Sequence, residues 1–335
     1  MSTNITQIAK FLNIAPSTVS RALKKPELVS LETRTKVLSV AENFGYLRQL
    51  RDNSIVTPSS KLIGVIVADL TNSFSNQIVK AVHDFLEDTD YQAIVACNYE
   101  KSSSEAKILK QLAALNLCGV IVMPTAKFTQ IAKSSLKDIP IVFVDRSTPG
   151  LAEYDCVVED NQDGIMQAMT HLNELGHKRI AFITGNRKVY TFKERALGIR
   201  NCPFEAEIIE MKAESYEELF IGAFEATNNI TMYHKNCRPT ALIGANNAIT
   251  SGILYALNLK GMKIPDDFSV LSYGDSNWCR FYPTPITSIS QPTEEMGRTA
   301  AKVLISRIKG QKEKAQKILL KSMLLRRAST AKIDL

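Results

Sequence analysis

Five polar side chains crowd one short stretch near the start of the chain: Ser17, Thr18, Ser20, Arg21 and Lys24, directly behind Pro16. Interleaved with them are Val19, Ala22 and Leu23, with Ala15 ahead. A 3.6-residue period turns the apolar set inward and the polar set outward. Hydroxyls, an arginine and a lysine on the outer face of a helix suit phosphate contacts together with readout of base edges in a major groove. Arg21 is placed for a bidentate contact to guanine, with Ser17 one turn before it on the same side, while Thr18 and Ser20 suit phosphate oxygens. The solvated face of any small helical domain would carry the same residue types, so this pattern alone does not decide the matter.

The elements that would hold this face are three short helices. Ile5, Ile8, Ala9 and Leu12 mark one face of the first, and Asn4 with Gln7 forms a capping box at its start. Asn13 supplies a residue that tolerates the left-handed conformation a tight turn needs, and Pro16 fits the first position of the second helix. Ser30 caps a third helix with Val37, Val40, Ala41 and Phe44 on one face and Gly45 at its end.

A second polar set follows the carboxyl ends of strand-like runs. From Lys61 onward, LIGVIVA (62–68), YQAIVAC (91–97), CGVIVM (118–123) and IPIVFVD (139–145) alternate with amphipathic stretches. After 157–161 the pattern restarts with RIAFITG (179–185), EIIEM (207–211), TALIGAN (240–246) and FSVLSYGD (268–275). Strands apolar throughout and separated by helices imply parallel sheets covered on both faces, hence two doubly wound lobes in tandem. ITSISQ (286–291), a helix over 294–309 and KILLKSMLLRR (317–327) could return to either lobe. Ligands bind beyond the carboxyl ends of such strands. The residues there are Asp69, Asn72 and Phe74, then Thr125, Asp145 and Arg146, Thr191 and Arg195, Asn246, and Asp275, with Trp278 nearby. Strand ends are polar in any case, so each residue taken singly also fits a structural role.

APSTVSRALKKPELVSLETRTKVLSVAENFGY resembles the DNA-binding headpiece of the lactose-repressor (LacI/GalR) family of bacterial transcription regulators. The T-V-S-R core is Thr18, Val19, Ser20 and Arg21, and the V-S-x-x-T-R start of the third helix is Val29, Ser30, Thr33 and Arg34. The resemblance extends over 4–330, through GHKRIAFITG, Asp160-Asn161, RPTALIGANN and PITSISQP. It implies a helix-turn-helix head over 1–46, with Pro16, Ser17, Thr18, Ser20, Arg21, Lys24, Ser30, Thr33 and Arg34 on DNA. It implies a hinge linker over 47–60 in which Ile55 wedges into the minor groove, and a periplasmic-binding-protein-like core over 61–335. In that core an N-lobe takes 61–160 and 291–318, and a C-lobe takes 161–290 and 319–330. The effector cleft would use Phe74, Arg195, Asn246 and Asp275, with Arg146 as an addition. A palindromic operator, a homodimer, and a sugar or sugar acid as effector follow from the same resemblance; SYGDS (272–276) is similar to members that sense gluconate-like acids. Three departures stand out: Asp52-Asn53 where relatives carry Ala-Arg, Asn247 for the usual aspartate, and a stretch after Arg195 (ALGIRNCPFEAEIIEM) shorter by about two helical turns.

Bulk properties agree with two or more domains. The chain has 335 residues, 45% hydrophobic and 22% charged, with a net charge of +7. Residues 1–60 carry eight Lys/Arg against four acids, so more than half of the net charge sits on the head and linker, which suits a polyanionic partner there. MSTNITQIAK lacks the apolar core of a signal peptide, and no apolar run approaches membrane-spanning length, so a cytoplasmic protein is expected. A transport-type solute-binding protein would share the two lobes but carry a signal peptide and no basic head. The six scattered cysteines form no C-x-x-C pair, and His83, His171, His177 and His234 are isolated, so neither disulfides nor a metal are expected. Without a P-loop, G-x-G-x-x-G, G-x-S-x-G or H-E-x-x-H, neither an enzyme nor a cofactor is expected.

Overall fold

A computed structural model describes residues 5–24, 28–44, 61–125, 128, 136, 139–147, 153–213, 215–311 and 313–333. The expected linker with Asp52, Asn53 and Ile55 lies outside these residues, as do Asn4, Gly45 and the side chain of Lys24. The chain divides into two compact units, 1–60 and 61–335.

In the first unit α1 (Ile5–Leu12), α2 (Pro16–Lys24) and α3 (Leu31–Asn43) share one core of Ile8, Ala9, Val19, Ala22, Val37 and Ala41. Asn13 turns the chain at φ +53°, the left-handed geometry an asparagine accepts more readily than most residues. Ser30 caps α3, accepting from the Thr33 amide. Two sequence expectations fail here. Ala15 is exposed, because it precedes the first turn of α2 and its carbonyl accepts from the Thr18 and Val19 amides. Phe44 is also exposed, resting edge-on against Phe11 with ring centroids 5.0 Å apart.

The second unit holds two six-stranded sheets. The first lobe runs β1 (Leu62–Val67), α4 (Ser73–Leu86), β2 (Gln92–Cys97), α5 (Ser102–Ala113), β3 (Gly119–Val122), β4 (Ile141–Val144) and β5 (Asp155–Glu159). The chain crosses into α6 (Asn161–Glu174), β6 (Ile180–Thr184), α7 (Tyr190–Asn201), β7 (Glu207–Glu210), α8 (Tyr216–Thr231), β8 (Ala241–Gly244), α9 (Asn247–Leu259), β9 (Ser269–Tyr273), α10 (Asn277–Phe281) and β10 (Thr287–Ser290). It returns as α11 (Thr293–Ile308) and β11 (Lys317–Leu320), and crosses a third time to β12 (Met323–Leu325). Strand order is β11-β5-β4-β3-β1-β2 in one sheet and β12-β10-β9-β8-β6-β7 in the other. The pairs are parallel except β10 with β12. Central strands such as β3, β4 and β8 are buried along their whole length, as apolar runs covered by helices on both faces must be. KILLKSMLLRR is two strands, one in each sheet, and the break comes after Leu320, two residues later than the expected lobe boundary at 318/319.

The apolar faces of α4 and α5, which a homodimer could use as its seam, are occupied. Ile78, Val82, Leu109 and Leu112 are buried and Phe85 half-buried against their own sheet. Packing of each helix onto its sheet uses up the stripe.

Candidate nucleic-acid interface and ligand cleft

On α2, Ser17 and Arg21 are exposed and Thr18 and Ser20 partly so, while Val19 and Ala22 are buried beneath them. The outer face therefore presents hydroxyls and a guanidinium from a helix fixed by its own core. Arg34 is exposed on α3, and the Ser30 and Thr33 hydroxyls lie 2.8 Å apart at its start.

In the second unit a cleft opens between the lobes beyond the carboxyl ends of both sheets. Asp69, Asn72, Phe74, Arg146, Thr191, Arg195 and Asn246 all line it, brought together from the connections that follow four strands, β1, β4, β6 and β8. Two asparagines reach it as helix caps: Asn72 accepts from the Phe74 amide at 3.1 Å, and Asn246 from the Ile249 amide at 2.9 Å. Asp69 accepts from the amide and hydroxyl of Thr71. Phe74 gives the cleft an apolar wall while packing into the first lobe's core.

Two arginines dominate its electrostatics. Arg146 donates Nη1 and Nη2 to the two Glu100 oxygens at 2.6 Å each, and Nε to Asp145 at 3.1 Å. Burial opposes its charge, yet Glu100 and Asp145 hold its pKa above the ordinary arginine value. Burial pushes the Asp145 carboxyl up, against the pull of Arg146 and Arg195. Arg195 donates Nε to Asn161 at 2.8 Å, Nη1 to the Ala245 carbonyl at 2.6 Å and Nη2 to Glu159 at 3.4 Å. Its guanidinium lies 3.8 Å from the centre of the Tyr273 ring.

Tyr99, Glu100 and Asp145, all lining the cleft, have positive φ of 52°, 58° and 70°. Such non-glycine residues cost roughly 1–3 kcal/mol each and collect where a site needs them. Here the Arg146 pairs hold two of the three in place.

Three sequence-expected residues are elsewhere. Thr125 donates its hydroxyl and amide to the buried Glu105, at 2.7 and 2.9 Å, and does not line the cleft. Asp275 faces a neighbouring cavity, and its carboxylate is taken by Arg327. Trp278 packs half-buried on the second lobe's core. Conversely, sequence reasoning passed over Tyr99, Glu100, Phe192, Tyr216, Asn247 and Gln291 as lining residues. Tyr99 and Glu100 follow YQAIVAC directly, so the strand-end rule applied to that run would have found them.

A small-molecule cleft between two parallel-sheet lobes, preceded by a three-helix unit with a polar second helix, defines a ligand-responsive DNA-binding protein. Residues 4–49 match the profile of bacterial regulatory proteins, lacI family, and residues 169–330 that of a periplasmic binding protein-like domain. Residues 4–49 are thus a lacI-family domain, and the chain as a whole is similar to lacI-family regulators. It is 29% identical over 337 residues to the HTH-type transcriptional repressor PurR of Mannheimia succiniciproducens, covering 98% of this chain and 99% of that protein. It is also 29% identical over 315 residues to the probable HTH-type transcriptional regulator EndR of Paenibacillus polymyxa, covering 92% and 91%. Among solved structures, a LacI family transcriptional regulator from Enterococcus faecalis with bound ribose is similar at 25% identity and a TM-score of 0.73, over 82% of this chain and 100% of that one. Like those relatives, the protein is a DNA-binding transcriptional regulator and not an enzyme. Among the described residues no helix is long and apolar enough to cross a membrane.

Proposed function

We propose that the protein is a cytoplasmic repressor that binds a palindromic operator as a homodimer, and that a small neutral sugar in the interlobe cleft switches its affinity. The observation that carries the choice of ligand is the commitment of both arginines. Each guanidinium nitrogen of Arg146 and Arg195 already donates to a protein oxygen, and among the described residues the cleft's other charged groups are Asp69, Glu100 and Asp145. Among the described residues a desolvated carboxylate or phosphate would meet no free cation, which is costly. A neutral polyol, by contrast, can donate hydroxyls to these carboxylates and to Asn246. The ribose held by the Enterococcus faecalis regulator belongs to that class. Sugar acids, the alternative from the family resemblance, are therefore disfavoured.

A twofold operator needs two heads, since one reads only a half-site. With the helix stripes buried, the seam falls to apolar residues left exposed on the core, such as Leu70, Val95 and Leu115 on one lobe and Tyr255 and Phe281 on the other.

The test is a thermal-shift series on the full chain with neutral pentoses, hexoses and disaccharides against aldonates and sugar phosphates, followed by operator binding with each hit. Neutral sugars should raise the midpoint and change operator affinity. Stabilisation by gluconate or a sugar phosphate alone would reject the neutral-ligand reading. Light scattering should give twice the chain mass, and a stable monomer or tetramer would contradict the dimer.

A further inference from the structure

Behind the cleft, one carboxylate stands at the end of β5. Glu159 is wholly buried, and its two oxygens accept from four side chains. Oε1 accepts from the Tyr273 hydroxyl at 2.6 Å and from the Ser322 hydroxyl; Oε2 accepts from Gln291 Nε2 at 2.6 Å and Arg195 Nη2 at 3.4 Å. A carboxylate has about four lone-pair sites, and here all are used.

The identity of those partners matters more than their number. The chain passes between the lobes three times: after β5, between β10 and α11, and between β11 and β12. Glu159 stands on the first passage, Gln291 on the second and Ser322 on the third. Tyr273 closes β9 of the second lobe, and Arg195 lies in the cleft. Two backbone-level contacts complete the knot: Asn161 donates to the Glu159 carbonyl at 3.1 Å, and the Asp160 amide to the Leu320 carbonyl at 2.8 Å. Burial, reinforced by the neighbouring Glu159 charge, holds the Tyr273 phenol well above its ordinary pKa, so it remains a donor.

We propose that Glu159 is the pivot of the interlobe hinge: one carboxylate binds all three crossings together and sets the position of the cleft's Arg195, so that lobe movement and the setting of that arginine occur as one event. Arg195 is the group in the cleft; Glu159 acts on it as a positioning residue. This inference does not depend on which ligand the cleft takes.

Glu159→Gln is the sharpest probe. It keeps the shape but replaces two acceptor sites by an N–H2 group that faces donors. Hydrogen exchange read by mass spectrometry on the full chain should show roughly tenfold faster exchange in all three crossings, 157–163, 289–293 and 320–324, and in the turn around Arg195, with the central strands β3 and β8 unchanged. Ser322→Ala removes one donor and leaves the carboxylate. It should produce the same pattern more weakly, including in 289–293, whose Gln291 shares the Glu159 carboxylate with the Ser322 hydroxyl. Acceleration confined to 157–163 would mean a locally satisfied carboxylate and would overturn the proposal. Uniform acceleration through both sheets in both variants would reduce Glu159 to a folding requirement and would overturn it equally. Failure of Glu159→Gln to fold would leave Ser322→Ala to decide between these outcomes.

Discussion

Asp275 and Arg327 face each other in a bidentate pair, Nη1 2.7 Å from Oδ1 and Nη2 3.0 Å from Oδ2. Ser288 donates to the same carboxylate at 2.8 Å and Arg280 at 3.2 Å. The Asp275 side chain is only 4% exposed. The family resemblance made this aspartate a ligand contact; its geometry makes it a clasp that fastens the final segment of the chain to the second lobe.

Asp275→Ala should therefore cost stability. Removing one partner of a buried pair leaves the other charge uncompensated, at about 3–5 kcal/mol, and the 16% exposure of Arg327 puts the value at the lower end. Urea unfolding should show the loss, and Arg327→Ala should show a similar one, with the double variant well short of their sum. Burial raises the Asp275 pKa, but hydrogen bonds from Arg327 and Ser288 outweigh it and hold the carboxyl below its usual range. The folded value being depressed, the clasp's contribution is complete above about pH 4, the unfolded aspartate value, and fades as pH falls below it. A normal urea midpoint in Asp275→Ala, with ligand heat abolished, would return this residue to the cleft.

Arg21→Ala tests the recognition helix. Arg21 is exposed and does not contribute to the head's core, so the variant should fold normally. Loss of a bidentate base contact should cost about 1–3 kcal/mol per half-site and relax base preference there, while salt-sensitive non-specific binding persists. Fluorescence anisotropy on an operator selected in vitro gives the answer. Equal affinity of variant and wild type would move recognition to another face.

Much of the architecture was legible because it rests on local pattern. β1, β3, β4, β6, β8 and β9 each fall within an apolar run, and the ends of those runs supplied eight residues that do line the cleft. What escaped were commitments between distant residues. Thr125 and Asp275 have the residue types of ligand contacts, but their partners, Glu105 and Arg327, stand 20 and 52 positions away. No periodicity relates such pairs. The break inside KILLKSMLLRR was expected two residues early for a related reason: Ser322 looks like a polar residue in a strand until Glu159, 163 positions earlier, is seen to hold it.

Two histidines give the fold a pH response above the carboxylate range. His171 Nε2 lies 2.9 Å from the Thr330 hydroxyl, and His177 bridges Thr240 at 2.9 Å and the Ala331 carbonyl at 3.1 Å. Burial lowers the pKa of both. Because the unfolded chain binds protons that the folded one refuses, stability is full above the ordinary histidine value near 6.5 and falls as pH drops through it. Melting temperature should be flat from pH 8 to 7 and decline from pH 6.5 to 5.5. In His171→Gln/His177→Gln that decline should be shallower; an unchanged slope would assign it to other groups.

Gly274 links backbone strain to the cleft. It follows β9 at φ +105°, where an L side chain is strained, and a Cβ built on it would stand 2.8 Å from Asn247 Oδ1. Asn247 lines the cleft and donates Nδ2 to the Ser73 hydroxyl at 3.3 Å, and Ser73 in turn lies 2.7 Å from the Ser276 hydroxyl. That chain of contacts ties the start of α4 in one lobe to the other lobe. Gly274→Ala should therefore cost about 1–3 kcal/mol from the backbone conformation, plus a further loss from displacing Asn247. The two parts separate in Gly274→Ala/Asn247→Ala, where the collision is gone and the backbone strain remains. Urea unfolding should place the double variant between Gly274→Ala and the sum of the two single losses, with a favourable coupling of at least about 0.5 kcal/mol. Strict additivity would show that the methyl group never meets the Asn247 amide, and that the glycine is required for its backbone angle alone.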